Sequence, residues 1–237
     1  VVSPDYTEDG IIFRFKAPDA QKVELECEIL PENLTMDRDS DGVWSVKMSD
    51  NLFETFKYCF VVDGMQVTDP SNMFISPDTG FKYSIADNPN SPFNFASQGE
   101  IAHGRVSYDL QRNTAFYSSG NMRMGVMPAF IQLIPVEGES VESWFKVGGA
   151  DAIADRMIAD GKTKPCMITV SATDFSQQQG GMQMPGFKMN KLDAKDYPTW
   201  SQRRRALIKL LLDIKKQPDP EFPAMGGGFG GGFGGND

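Results

Sequence analysis

The pattern of apolar and polar positions divides the chain into two parts. Up to about residue 95 the apolar residues come in short runs or at every second position, with turns between them. Ile11-Ile12-Phe13-Arg14-Phe15-Lys16 runs into a Pro18-Asp19 turn, and Val23, Leu25, Cys27 and Ile29 then alternate with Lys22, Glu24, Glu26 and Glu28. Period two with acids on one side predicts a strand with one wet face. Asp39-Ser40-Asp41-Gly42 reads as a turn before the strand Val43-Trp44-Ser45-Val46. Phe56 to Val62 reads as another strand, closed by Asp63-Gly64, a hairpin signal. Short strands at this spacing, without a helical stretch, predict an antiparallel all-β sandwich of the Ig-like kind.

Residues 88–104 hold three Asn, two Pro and two Gly and little periodicity, so the expected boundary lies there, with a linker over 96–105. Beyond it, Phe130-Ile131-Gln132-Leu133-Ile134 suits a buried strand. Ile153, Ala154, Met157 and Ile158 stand at helical spacing with Gly161 as C-cap, and Cys166 to Val170 suits a second buried strand. Strand, helix and strand in this order predict a βαβ unit and so a parallel sheet. The Gln-, Met- and Gly-rich stretch around Gln177 to Met182 carries no core pattern. A helix entered through Pro198 then places Trp200, Leu207, Leu210, Leu211 and Ile214 on one face. Arg203-Arg204-Arg205 lies within it and is expected on its solvated side. Residues 215–237 read as a Pro/Gly-rich flexible tail, with eight glycines in the ten residues 226–235.

Composition narrows the function classes. The 237 residues are 40% hydrophobic and 23% charged, enough for packed cores, and no apolar run approaches the ~18 residues of a membrane span. The net charge of −9 is uneven: residues 1–95 carry 17 acids against 7 bases (−10), the rest 15 against 16 (+1). That distribution argues against a nucleic-acid partner. Three cysteines make no disulfide scaffold; Cys27 and Cys59 are expected as free buried thiols, with pairing between them the alternative. One histidine and three scattered cysteines give no metal-ligand spacing, and Asp37 to Gly42 lacks the bidentate Glu of a calcium loop, so neither metal nor cofactor is expected. Val1-Val2-Ser3-Pro4-Asp5 contains no signal peptide and no initiator Met, as expected of a mature form or a fragment.

Several motifs carry a resemblance. Phe13-Arg14-Phe15-Lys16-Ala17-Pro18, Asp41-Gly42-Val43-Trp44-Ser45-Val46, and Phe60-Val61-Val62-Asp63-Gly64 with Asp69-Pro70-Ser71-Asn72 resemble the E-set, glycogen-binding-module-like sandwich that precedes many bacterial carbohydrate esterases. Trp144 through Val170, above all Gly149 to Asp155 and Ile158 to Pro165, is similar to α/β-hydrolase esterases of the feruloyl and acetyl-xylan type. Tyr197-Pro198-Thr199-Trp200 with Arg203-Arg204 resembles their final helix. The resemblance implies residues 1–95 as the sandwich and 106–214 as a three-layer α/β-hydrolase-like domain with parallel strands. It implies an exported protein with a plant polysaccharide or oligosaccharide as partner, the oligomeric state being unspecified. Trp44, Asn72 and Trp144 are the candidate ligand-binding residues, Trp44 serving either as a stacking platform or as core.

The catalytic apparatus that the resemblance implies is not legible. There is no Gly-x-Ser-x-Gly; Ser171 follows a strand without flanking glycines, and Ser118-Ser119-Gly120 reads as a turn. The single histidine, His103, falls in the joining segment Ile101 to Val106, and Asp193 to Pro198 stands where the family places its catalytic histidine. In place of a glycine-rich oxyanion loop the chain reads Ile134-Pro135-Val136-Glu137-Gly138, where Pro135 has no N–H to donate. Residues 106–214 are also too few for a complete hydrolase sheet, which implies a large segment missing between Asp174 and the final helix, bridged by the Gln-, Met- and Gly-rich stretch. No catalytic residue is therefore assigned, and the expected function is that of a catalytically inactive esterase relative. An active carbohydrate ester hydrolase and a glycan-binding protein are the alternatives.

Overall fold

The structure, a computed structural model, describes residues 1–49, 54–91, 99–120, 122–173 and 188–219. The Gln-rich stretch, most of the tail and residues 92–98 of the boundary lie outside the described residues. The strands are β1 (Asp5–Thr7), β2 (Gly10–Lys16), β3 (Val23–Cys27), β4 (Leu34–Thr35), β5 (Asp37–Arg38), β6 (Val43–Met48), β7 (Thr55–Val62), β8 (Met65–Val67) and β9 (Ser84–Asp87), then β10 (Arg105–Asp109), β11 (Thr114–Ser118), β12 (Ala129–Ile134), β13 (Cys166–Val170) and β14 (Met189–Asp193). The helices are α1 (Ser143–Lys146), α2 (Ala150–Ala159) and α3 (Trp200–Lys216), with a 3-10 turn at Ala194–Asp196.

Two antiparallel sheets face each other in the first part. One runs β1-β2-β6-β5; the other runs β4-β3-β7-β8, with β9 also pairing β7. Alternation decides which side chains meet: Val23, Leu25 and Cys27 turn inward from β3, while Glu24 and Glu26 stay at the surface. They meet Ile11 and Phe13 of β2 and Phe56, Tyr58 and Phe60 of β7 in one apolar core. The Asp63-Gly64 hairpin forms as read, both residues taking positive φ (45° and 87°), the geometry of a two-residue turn matched to strand twist.

The third sheet has the order β10-β11-β13-β12-β14. The expected parallel crossover is present: β12 and β13 pair in parallel with Ile131 opposite Ile168, and α2 connects them. The expected parallel sheet is thus present only in part. β10 and β11 form an antiparallel hairpin on one side, and β11 pairs antiparallel with β13, so the sheet is mixed. The hairpin shows no clear pattern in the sequence because none of Arg105 to Asp109 is buried. β14 was also missed: only Asn190 and Leu192 of its five residues are buried.

Ala115, Tyr117, Ile131, Leu133, Ile168 and Leu192 form one face of this sheet and pack with residues of α1, α2 and α3 in a single core. The opposite face carries Phe116, Gln132, Thr169 and Lys191, set by the same registers. Among the described residues the helices share one core on one face of the sheet. Local chemistry sets the helix ends. Thr199 and Gln202 form a reciprocal capping box at the start of α3, and Gly161, at φ 67°, closes α2 with its N–H on the Ile158 carbonyl.

The two cores are tightly joined. Ile85 of β9 belongs to the second core, and Phe74 packs against it. The expected solvated face of α3 is corrected here: Arg203 and Arg204 are 3% and 4% exposed. Helical spacing could not reveal this, because the partners are distant in sequence. Arg203 pairs with Glu139 at 2.6 Å with both side chains buried, and donates to the Tyr197 carbonyl at 2.8 Å. Arg204 donates to Thr55 Oγ1 on β7 and lies 3.6 Å from Asp87, while Arg205 reaches the buried Glu54 at 2.9 Å. Among the described residues no helix is long and apolar enough to cross a membrane.

Candidate functional site

Parallel strands place ligand-binding loops at their carboxyl ends, where the chain leaves the sheet. Ser171 stands there, just past β13, with its N–H on the Leu133 carbonyl at 3.1 Å. It is 2% exposed, and its hydroxyl oxygen accepts the Thr173 N–H at 3.1 Å, a local turn contact. Beside it the Gln132 side chain donates to the Thr173 carbonyl at 2.7 Å.

The segment after β12 that would form an oxyanion loop is held by the sandwich instead. The Gly138 carbonyl accepts both the N–H (3.3 Å) and the hydroxyl (2.9 Å) of Thr79, and the Ser140 N–H donates to Asp78 at 3.0 Å. Asp78 is the centre of this junction. Its carboxylate also accepts the Ser143 hydroxyl (2.6 Å), the Ser76 hydroxyl (2.8 Å) and the Lys57 ammonium (2.6 Å). Burial alone would raise its pKa, but the hydrogen bonds from Lys57 and Ser143 outweigh that and hold it below the ordinary value of 3.8.

His103 lies at the other end of the sheet. Its Nδ1 is 3.1 Å from the buried Asp155 carboxylate on α2, while the imidazole is 72% exposed. Asp155 also accepts the Gly104 N–H (2.8 Å) and the Tyr117 hydroxyl (2.6 Å). The approach is close: a Cβ on Gly104 would lie 2.3 Å from the Tyr117 ring. Next to this cluster the Ser119 hydroxyl oxygen accepts the Cys166 N–H at 3.2 Å, which fixes it at the amino end of β13. The five residues of β13 therefore separate this cluster from Ser171 by roughly 16 Å of strand. A histidine and a carboxylate do meet in space, but not beside Ser171.

The three candidate ligand residues do not converge. Trp44 is 7% exposed, and its indole N–H donates to the Ala17 carbonyl at 2.8 Å; of its two readings, core is where the structure puts it. Asn72 spends its amide on the Tyr58 hydroxyl (3.0 Å) and the Ile85 carbonyl (2.8 Å), and its oxygen accepts the Phe74 N–H (2.9 Å). Trp144 is fully buried edge-on to Trp200, with ring centres 5.3 Å apart. None of the three offers a free ring or amide for a sugar. All three cysteines are buried and free, and burial pushes each thiol up to about 12. Among the described residues no group of three His, Cys, Asp or Glu side chains is placed to hold a metal.

Sequence reasoning did not find one groove among the described residues. About 610 Å³ opens between the outer edge of β14 and α3, over a floor that includes Tyr197, Ala206 and Leu210. Lys191, Arg205 and Lys209 line it together with Asp193, Asp196 and Asp213, so its charges balance. The one signal in the sequence was the alternation of Asn190 and Leu192 with Lys191 and Asp193.

No family model matches the chain, and no curated protein matches it. Solved structures do match. An enterobactin esterase from Shigella flexneri aligns over 73% of this chain and 55% of its own, with TM-score 0.45 and 14% identity. A ferric enterobactin esterase from Salmonella typhimurium aligns over 73% and 57%, with TM-score 0.45 and 12% identity. A pullulanase from Klebsiella pneumoniae, solved with maltotriose, aligns over 45% of this chain and 12% of its own, with TM-score 0.34 and 24% identity. The chain spans little more than half the length of these esterases. These two are enterobactin esterases, where the sequence resemblance pointed to the feruloyl and acetyl-xylan type.

Proposed function

We propose that this chain is a catalytically silent, esterase-like protein whose role lies in binding, with the β-sandwich bracing the mixed sheet. One observation carries the reading. The only histidine is committed to Asp155 at the amino end of β13, while Ser171 sits at the carboxyl end with its oxygen in a local turn. A serine hydroxyl without a base stays protonated and attacks esters poorly near neutral pH. The loop after β12 supports the same reading, since its backbone groups are engaged by Thr79 and Asp78.

The test is hydrolysis of methyl ferulate by the purified full chain. p-Nitrophenyl acetate is less discriminating, because an exposed imidazole such as that of His103 reacts with activated esters unaided. The expected result is no turnover above buffer and no change on Ser171→Ala. Turnover that a single serine substitution abolishes would overturn the proposal. An oligosaccharide partner, the ligand class the sequence resemblance implies, would have to use a surface other than Trp44, Asn72 and Trp144. Calorimetric titration with xylo-oligosaccharides yields binding heat that Trp44→Phe leaves unchanged if that ligand class is right; no heat removes it.

A further inference from the structure

We propose that β10 is the seam of a homodimer in which two copies pair this strand antiparallel about Ser107, so that their mixed sheets become one. Among the described residues β10 pairs with β11 alone and stands first in its sheet. The chain is described continuously from 99 to 120, on both sides of the strand. Its register with β11 is unbroken, from Arg105 opposite Ser118 to Asp109 opposite Thr114, so no bulge turns the edge away, and the strand holds no proline. Apart from that ladder, no backbone group of the described chain bonds to the backbone of Arg105 through Asp109. None of the five residues is buried, and Tyr108 is 36% exposed. A regular, uncovered edge of this kind is a template for another strand.

The order Arg105-Val106-Ser107-Tyr108-Asp109 selects a second copy as that strand. Turned about Ser107 it complements itself: Arg105 of each copy stands opposite Asp109 of the other, and Val106 opposite Tyr108. Alternation puts Arg105, Ser107 and Asp109 on one face, and Val106 and Tyr108 on the face that carries Ala115 and Tyr117. Val106 already packs against the second core, and Tyr108 lies edge-on to Phe145 of α1 with ring centres 6.5 Å apart, so the apolar pairs continue that core across the seam. The charges are available. Arg105 is exposed and makes no ion pair or side-chain hydrogen bond with the described chain. Asp109 meets Arg112 at 3.4 Å, but the Arg112 side chain is 84% exposed, and such a pair exchanges readily for a new cation. A register centred on Val106 would set Arg105 opposite Ser107, and one centred on Tyr108 would set Asp109 opposite Ser107. Opposite charges across a strand pair stabilise it, so the pattern favours the register about Ser107. A surface that complements itself about a two-fold axis is what an isologous dimer requires.

Sedimentation of the full chain across about 1–200 µM tests this, read together with hydrogen exchange over Arg105 to Asp109. The wild type is expected to dimerise with rising concentration, and the amides of this strand that face away from β11 to become protected as it does. Arg105→Asp sets acid against acid twice across the seam, and Asp109→Lys sets base against base. Each alone should weaken association about tenfold or more. An equimolar mixture of the two variants restores both opposite-charge pairs and should dimerise again, which a folding defect in either variant would not allow. Ser107→Cys adds a second reading at the two-fold axis, where facing Cα atoms of an antiparallel pair lie about 4.5–5.5 Å apart, within disulfide reach. The native cysteines are buried, so mild oxidation should cross-link this variant into a dimer, and adding Arg105→Asp should slow the cross-linking about tenfold. A wild type that stays monomeric to about 200 µM overturns the proposal. So do single variants that dimerise normally, a mixture that remains monomeric, cross-linking that the charge change leaves as fast, or a dimer in which the β10 amides exchange as freely as in the monomer. The outcome is independent of the ester-hydrolysis test.

Discussion

Replacing Asp78 with asparagine should disconnect the sandwich from the loop and helix that follow β12. Asp78 is 7% exposed, and its two oxygens accept from Lys57, Ser76, Ser140 and Ser143 at 2.6–3.0 Å. Asparagine retains one acceptor for Ser140 and Ser143, but turns an amide donor toward the Lys57 ammonium. Lys57, whose side chain is 18% exposed, is then left without its counter-charge. Breaking a buried ion pair from one side costs about 3–5 kcal/mol, and because Lys57 can still reach water the lower end applies, about 3 kcal/mol. For a chain of this size that lowers Tm by about 6–12 °C. Urea unfolding followed by tryptophan fluorescence and far-UV circular dichroism measures it. The pH dependence makes the test specific. The folded-state pKa of Asp78 lies below its ordinary 3.8, so its contribution is complete above that value and is lost as pH falls through the lower native value. The gap between wild type and Asp78→Asn should therefore hold steady from pH 7 to about 4 and close below it. A second substitution, Lys57→Met, should recover part of the loss by removing the orphaned charge. A gap under about 1 kcal/mol at pH 7, or one that stays the same down to pH 3, would refute the reasoning.

Arg203→Lys should destabilise by about 2 kcal/mol or more in urea titrations, because an ammonium cannot serve Glu139 and the Tyr197 carbonyl while stacking on Trp200, as the guanidinium does at 4.6 Å from the ring centre. Removing both charges, with Arg203→Met and Glu139→Gln, should cost less than the two single changes combined. At the other end of the sheet His103→Gln should change stability by less than about 0.5 kcal/mol, since the ring is mostly in water. Asp155→Ala should cost about 2–4 kcal/mol by stranding the Tyr117 hydroxyl and the Gly104 N–H. Equal losses for the two substitutions would contradict this division of roles.

Local chemistry made much of the fold legible in the sequence. Period-two alternation gave Val23 to Cys27 its inner and outer faces, Asp63-Gly64 its hairpin, and the apolar runs about Ile131 and Ile168 their burial on either side of a helix. Those features depend on neighbours a few residues away, so they survive in a one-dimensional reading. The lack of a serine elbow and of a histidine before the last helix was equally visible, because both are matters of composition at a stated place.

Tertiary structure decided the rest. Arg203 and Arg204 look like a wet helix face until Glu139, Thr55 and Asp87 are brought beside them from other elements. Trp44 and Trp144 are aromatic rings that suit either a sugar or a core, and only the packing around them assigns them to the core. His103 meets Asp155 across 52 residues, and its distance from Ser171 follows from which end of β13 each occupies. Among the described residues, strand order puts β14 last in the sheet, with Lys191 and Asp193 lining a groove. Ion pairs, strand order and sheet edges join residues far apart in the chain, and periodicity, which registers only near neighbours, carries no trace of them.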